Sequence, residues 1–188
     1  GVFGGVLILI TGQEHLVLGA LGQIRNTLGN WFQLYDPNTF EFVWIVDWPL
    51  FEYDHDNHQW TYAHNPFTAP QQHCLDNFDT DYANARAEGY DLVLNGLELG
   101  SGAKRITDPH LQKRVFEAIG LESDYINKHF GWFIQAYQYG APPHQGLGLG
   151  IERLLQIMLH TNTIRDVIAF PKNNHGVDMM QQAPNTPN

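Results

Sequence analysis

The chain is 188 residues long, 43% hydrophobic and 13% aromatic, with a formal net charge of −10. That is enough apolar material for a globular core, and the acidic balance argues against a broad grip on a nucleic-acid backbone, which needs a basic face. One cysteine, Cys74, excludes an internal disulfide, no apolar run approaches the length that crosses a bilayer, and no His/Cys set has zinc spacing.

The first residue is Gly1, and the chain opens in a strand-like run, "VFGGVLILIT". "EHLVLGALGQIRNTLGN" follows, with Leu16, Leu18, Leu21, Ile24 and Leu28 at spacings that predict an amphipathic helix, weakened by Gly19 and Gly22. Asp36-Pro37-Asn38 is a turn. "FEFVWIVDWPLFEYD" is continuously apolar from Phe42 to Val46 and predicts a buried strand ended by Pro49. "DHDNHQW" is a hairpin loop, and "TYAHNPFTAP" a strand running into a proline-bounded loop. "DTDYANARAEG" has moderate helical character. "YDLVLNGLELGSGAKRI" is a hairpin turning at Asn95-Gly96, with a bulge expected at Gly100-Ser101-Gly102.

"DPHLQKRVFEAIG" carries full helix punctuation: Asp108 as N-cap, Pro109 at the first helical position, Gly120 as stop. "SDYINKHFGWFIQAYQYG" is a second helix stopping at Gly140. A glycine-rich strand and a helix over 152–161 follow, and "QQAPNTPN" is a polar tail. Hairpin-paired strands with helices in blocks predict an α+β fold, a mostly antiparallel sheet flanked by helices. Neither of the two common Gly-rich nucleotide loops is present.

Three constellations carry chemistry. In "GLGLGIERLL", Gly146, Gly148 and Gly150 share one strand face, which leaves a strip without side chains. A planar ring such as adenine fits that strip, with Arg153 at the next helix start to stack over it or reach a phosphate; the strip equally suits packing against another element. Asp91 and Glu98 flank the Asn95-Gly96 turn, where two carboxylates can hold Mg²⁺ or simply be solvated surface charge. Arg105 lies seven residues beyond Glu98. In "AHNPFTAP", His64 and Asn65 stand where strand meets loop, a place for a histidine that orients a substrate carboxylate or one that serves only the turn. His144 reads the same way, and Cys74 has no activating neighbour.

Taken together, "FVWIVDWPLFEY", "HNPFTAP", "YDLVLNGLELGSGAKRI", "YGAPPH", "GLGLGIERLL" and "IRDVIAFPK" resemble, in that order, the class II aminoacyl-tRNA synthetases, most closely the bacterial-type aspartyl branch. "GLGLGIERLL" resembles motif 3 of that class. The resemblance implies that residues 1–32 are the end of an insertion domain and 33–188 the C-terminal part of the catalytic domain. It implies ATP and Mg²⁺, aspartate and tRNA as substrates, a homodimer in the complete enzyme, no membrane partner, and a cytoplasmic or organellar-matrix location.

Residue by residue, the resemblance implies an ATP site floored by Gly146, Gly148 and Gly150, with Arg153 and Glu98 as its catalytic groups. Asp91 and Glu98 would hold the metal. Arg105 would read the aspartate side-chain carboxylate, and His64 would lie in the loop closing over the amino acid. Two departures stand out: Asn65 replaces a usual second histidine, and "GSGAKRI" replaces a more glycine-rich run. Motif 1, motif 2 and an anticodon-binding barrel have no counterpart here. The expectation is therefore a longer native chain and no activity for the 188 residues alone. The alternatives are a non-catalytic interaction subunit and a ligase of the lysyl or asparaginyl type.

Overall fold

A computed structural model describes residues 4–185. The chain divides into two compact units, Gly1–Phe40 and Glu41–Asn188.

In the first unit, helix α1 spans Glu14–Trp31 and ends at Phe32, whose N–H is taken by the Leu28 carbonyl. The helix runs through Gly19 and Gly22 as the spacing predicts, but none of its residues is buried. Asp36 closes the following turn, its Oδ1 accepting from the Asn38 backbone N–H at 2.9 Å. The strand expected at the start does not form among the described residues of that run, 4–11. Val6, Leu7 and Leu9 are exposed, and a strand with no ladder partner leaves its backbone groups unsatisfied. Residues 2 and 3 of the run lie outside the described residues.

The second unit is α+β. Its strands are β1 (Phe42–Ile45), β2 (Phe51–Asp54), β3 (Gln59–Tyr62), β4 (Gly89–Leu94), β5 (Leu97–Lys104) and β6 (Gln145–Leu149). Its helices are α2 (Pro109–Ala118), α3 (Ser123–Gln138) and α4 (Ile151–Met158). One antiparallel sheet has the order β1-β4-β5-β6, and β2 and β3 form a separate hairpin. The β4–β5 turn places Asn95 and Gly96 at φ of 50° and 82°, the left-handed pair a two-residue hairpin needs. Asp108 caps α2, its carboxylate accepting from the His110 and Leu111 N–H groups, and Gly120 and Gly140 end α2 and α3 at positive φ.

β1 corrects an expectation. It is not buried: among the described residues it is a sheet edge paired with β4 alone, and Phe42, Val43 and Trp44 are at least half exposed. It also ends at Ile45, before Pro49. The helix expected in 79–89 is a second correction, since only a short 3-10 turn forms, Tyr82–Asn84. Long-range pairing takes the backbone groups a helix would use. Leu50 N–H donates to Ala85, Ala87 N–H to Trp48, Gln71 N–H to Arg86 and Glu88 N–H to Ala69. Three irregular segments, 48–50, 67–71 and 85–88, are thus knitted into one wall.

The main core lies behind that wall, built from Leu50, Phe51, Phe78, Ala85, Ile106 and Val115. A smaller core forms where Leu94 and Leu99 of the sheet meet Ile157 of α4. Near the C-terminal end, Asp178 is 2% exposed, and the Gln181 N–H, together with Met180 and Lys172, holds its carboxyl below the usual range against the cost of burial. No helix among the described residues is long and apolar enough to cross a membrane.

Candidate functional site

The register of β4, β5 and β6 builds the site. Asp91 stands opposite Ser101, and Ser101 opposite Gly148; Gly89, Ala103 and Gly146 form the next row. Residues directly opposite share a face. Further along, Glu98 stands opposite Val93, two residues from Asp91, so both carboxylates emerge on that face. One extra residue sits in β5 between Glu98 and Gly100, because Leu92 pairs with Gly100 while Val93 pairs with Glu98. The bulge is therefore at Leu99, and not at Gly100-Ser101-Gly102, which pair regularly with both neighbours. It buries Leu99 to 4% exposure in the small core and leaves Glu98 exposed.

The alternating glycines of β6 face open space. A Cβ built on Gly146 meets nothing within 4 Å, and one on Gly148 meets only the Ser101 carbonyl, at 3.8 Å. At these two positions no other element among the described residues fills the strip. Gly150 differs: its N–H donates to the Leu99 carbonyl, a Cβ there would sit 3.3 Å from that oxygen, and it is the N-cap of α4.

Two cavities open along this face and share Ser101. The larger, about 560 Å³, is lined by Trp48, His64, Asp91, Ser101, Arg105 and Gly146, among others. The smaller, about 500 Å³, is a shallower groove with Glu98, Ser101, Gly148, Gly150, Arg153 and Ile164 along it. Both are of a size that takes small molecules. The strip is thus divided: Gly146 belongs with Arg105, and Gly148 and Gly150 with Arg153.

In the groove, Arg153 follows the open start of α4, which no side chain caps. Its Nη1 donates to the Glu98 backbone carbonyl and lies 3.8 Å from the Glu98 carboxylate. Both side chains are about half exposed, so the pair adds little to stability and leaves both groups available to a ligand. A guanidinium beside bare glycines suits a flat ring or a phosphate.

In the larger cavity, Arg105 lies one residue past β5. Its N–H donates to the His144 carbonyl, it bridges to Thr68, and its guanidinium carbon stands 4.6 Å over the Phe67 ring. Among the described residues it forms no ion pair. His64 is exposed at the rim, edge-on to Trp48 with ring centres 4.9 Å apart. Asn65 turns the loop, its Oδ1 accepting from the Phe67 N–H at 3.0 Å and from the Thr68 hydroxyl at 3.3 Å. His144 also lines the cavity, its Nδ1 donating to the Pro142 carbonyl at 2.9 Å. Cys74 is buried away from both cavities, with the Arg86 N–H donating to its sulfur at 3.3 Å.

No cluster of three or more His, Cys, Asp or Glu residues that could hold a metal exists among the described residues. Asp91 and Glu98 share this sheet face, and Mg²⁺ needs only one or two carboxylates, taking its other oxygens from water and substrate phosphates. Sequence reasoning missed Ser101, Trp48 and Phe67. Ser101 was findable as the non-glycine in "GSG"; Trp48 and Phe67 carried no local signal, because Trp48 reaches the cavity and Phe67 reaches Arg105 only through contacts distant in sequence.

Comparison with known proteins agrees with this architecture. The description "tRNA synthetases class II (D, K and N)" matches residues 17–174. The aspartate–tRNA ligase of Mesoplasma florum is 48% identical over 178 residues, 95% of this chain and 31% of the relative. That of Ureaplasma parvum is 45% identical over 98% of this chain and 32% of its own length. The chain thus spans about a third of the length of these curated relatives. Among solved structures, the aspartyl-tRNA synthetase of Entamoeba histolytica superposes with a TM-score of 0.55 at 24% identity, over 81% of this chain and 26% of that one, which speaks for the fold. By the family match over most of its length, this chain belongs to the class II tRNA synthetases of the D, K and N group.

Proposed function

We propose that the chain supplies the amino-acid and ATP sites of an aspartate–tRNA ligase. The observation that carries this reading is the single sheet face on which an arginine-bearing cavity and an arginine-bearing glycine groove meet at Ser101. Two substrates bound in adjoining cavities can react across their shared edge.

The Arg105 cavity takes aspartate. The guanidinium forks onto the side-chain carboxylate, and His64 closes the rim. The groove takes ATP, with the base on Gly148 and Gly150, Arg153 against the base or the terminal phosphate, and Gly146 under the junction. Glu98 and Asp91 would hold Mg²⁺, which would neutralise phosphate charge. An oxygen of the aspartate α-carboxylate attacks the α-phosphorus, the bond to the β-phosphate oxygen breaks, and aspartyl-adenylate and pyrophosphate form. A hydroxyl at the tRNA 3′ end then attacks the activated carbonyl, and AMP leaves. The side chains named here contribute position and charge.

The same reading takes residues 1–32 as the end of an insertion domain and 33–188 as catalytic domain. It implies a homodimeric enzyme of the cytoplasm or an organellar matrix, acting on tRNA. The test is Arg105→Ala in a full-length ligase carrying this sequence. The aspartate KM rises by about ten- to a hundred-fold, the loss expected for a charged hydrogen-bonded pair, while the ATP KM changes little. Equal changes in both sink the assignment.

A further inference from the structure

We infer that Phe67 is a positioning residue for Arg105, holding its guanidinium ready for a substrate carboxylate. This rests on the reading of Arg105 as the carboxylate-binding group. The two residues lie on neighbouring antiparallel segments: Thr68 bridges to Arg105, and the Ile106 N–H donates to the Phe67 carbonyl at 3.0 Å. The Phe67 N–H is taken by Asn65 Oδ1, so the backbone at Phe67 is fixed on both sides. Gln112, fully buried, donates from Nε2 to the Pro66 carbonyl at 2.7 Å and anchors the preceding residue from α2. The ring packs edge-on against Phe116, Phe130 and Phe133, with centres 5.6 to 6.0 Å away. A ring held this firmly is a fixed platform, and a cation over its face is attracted by the ring quadrupole.

A second arginine in the same chain shows what is missing at Arg105. Arg114 lies over the Phe78 ring at 5.0 Å and also reaches Asp79, its Nη2 2.8 Å and its Nε 3.3 Å from the two carboxylate oxygens. Ring, guanidinium and carboxylate are all supplied by the protein there. At Arg105 the ring and guanidinium are present, no carboxylate among the described residues pairs with them, and Arg105 lines the 560 Å³ cavity. The ligand provides the third member. Fixing the guanidinium in advance saves the side-chain ordering cost that binding would otherwise carry.

The test has two arms. In a full-length ligase carrying this sequence, selectively labelled at arginine, the Arg105 Nε–Hε resonance is displaced upfield by the ring current of Phe67. Phe67→Leu abolishes the displacement, and Phe67→Tyr keeps it. An undisplaced resonance in the unaltered chain, or one unchanged by Phe67→Leu, overturns the proposal. In a full-length ligase carrying this sequence, Phe67→Leu raises the aspartate KM by about three- to thirty-fold, the range of a partly desolvated cation–π contact, with the ATP KM held within about two-fold. Phe67→Tyr stays near the unaltered enzyme. A rise in both constants together, or equal losses for Leu and Tyr, shows a merely structural residue and overturns the proposal. Arg105→Ala separates the two readings. If it leaves the aspartate KM unchanged, the assignment of Arg105 fails; if it raises that KM and Phe67→Leu does not, only the role of Phe67 fails.

Discussion

Two pairs of glycines lie side by side on β5 and β6, and they are bare for opposite reasons. Gly100 and Gly102 of β5 are crowded. A Cβ at Gly100 would stand 2.7 Å from the Gly148 carbonyl oxygen, and one at Gly102 would strike the Gly146 carbonyl and the Tyr90 ring. Tyr90 lies over that position and donates from its hydroxyl to the Gly146 carbonyl at 3.1 Å. Gly146 and Gly148 of β6, by contrast, look onto empty space. The first pair is glycine because the protein fills the room. The second pair is glycine although no described residue fills the room, which is what the proposed ATP seat requires. A family of ligands that are flat, anionic or both accounts for that pair, and the neighbouring arginines point the same way.

The largest effect expected from this contrast is at Gly102. Gly102→Ala forces a methyl group against backbone that cannot move without shifting β6. Such overpacking costs about 1–3 kcal/mol, and thermal unfolding of the 188-residue chain should fall by about 3–10 °C. Retention of the unaltered Tm in a calorimetric scan would show that β6 yields easily, and the contrast between the two pairs would collapse. Gly148→Val is the complementary change. The groove there is open, so stability should hold within about 0.5 kcal/mol. The branched side chain nevertheless occupies the proposed seat of the base, and in a full-length ligase the ATP KM should rise by about ten-fold, equivalent to roughly 1.4 kcal/mol. A lowered Tm with an unchanged ATP KM would place Gly148 with the packing glycines instead.

What the sequence made legible follows the same division. Features set by a few adjacent residues were readable: the Asp108 cap, the Asn95-Gly96 turn, the stops at Gly120 and Gly140, and the alternation of Gly146 and Gly148. The motifs also carried the family, whose match runs over residues 17–174. Features set by distant partners were not readable. The stretch before β4 has helical character in isolation, yet Ala85, Arg86, Ala87 and Glu88 give their backbone groups to residues 48–50 and 69–71. β1 has the composition of a buried strand and takes an edge position, because burial depends on what lies beside a strand and not on its own residues. The platform under Arg105 is of this second kind: Phe67 lies 38 positions before it, and neither residue signals the other. Within the candidate site, the charged and glycine positions could therefore be named from the sequence, and the aromatic side chains beside them could not.

The smallest effect separates the two cavities from each other. Gly146 belongs to the strip by alternation but lines the cavity of Arg105, whereas Gly148 lines the groove of Arg153. Gly146→Ala adds a methyl group where nothing lies within 4 Å, so no clash opposes it. Relieving a glycine of its unfolded-state freedom stabilises by about 0.4–1 kcal/mol when the backbone accepts alanine, so the Tm should hold or rise by a degree or two. In a full-length ligase the same methyl group narrows the aspartate side of the junction. The aspartate KM should increase by about two- to three-fold while the ATP KM stays level, the opposite partition to Gly148→Val. Should Gly146→Ala instead weaken ATP alone, the strip would act as one continuous floor for the nucleotide, and the boundary between the two substrates would lie beyond Gly146, nearer Arg105.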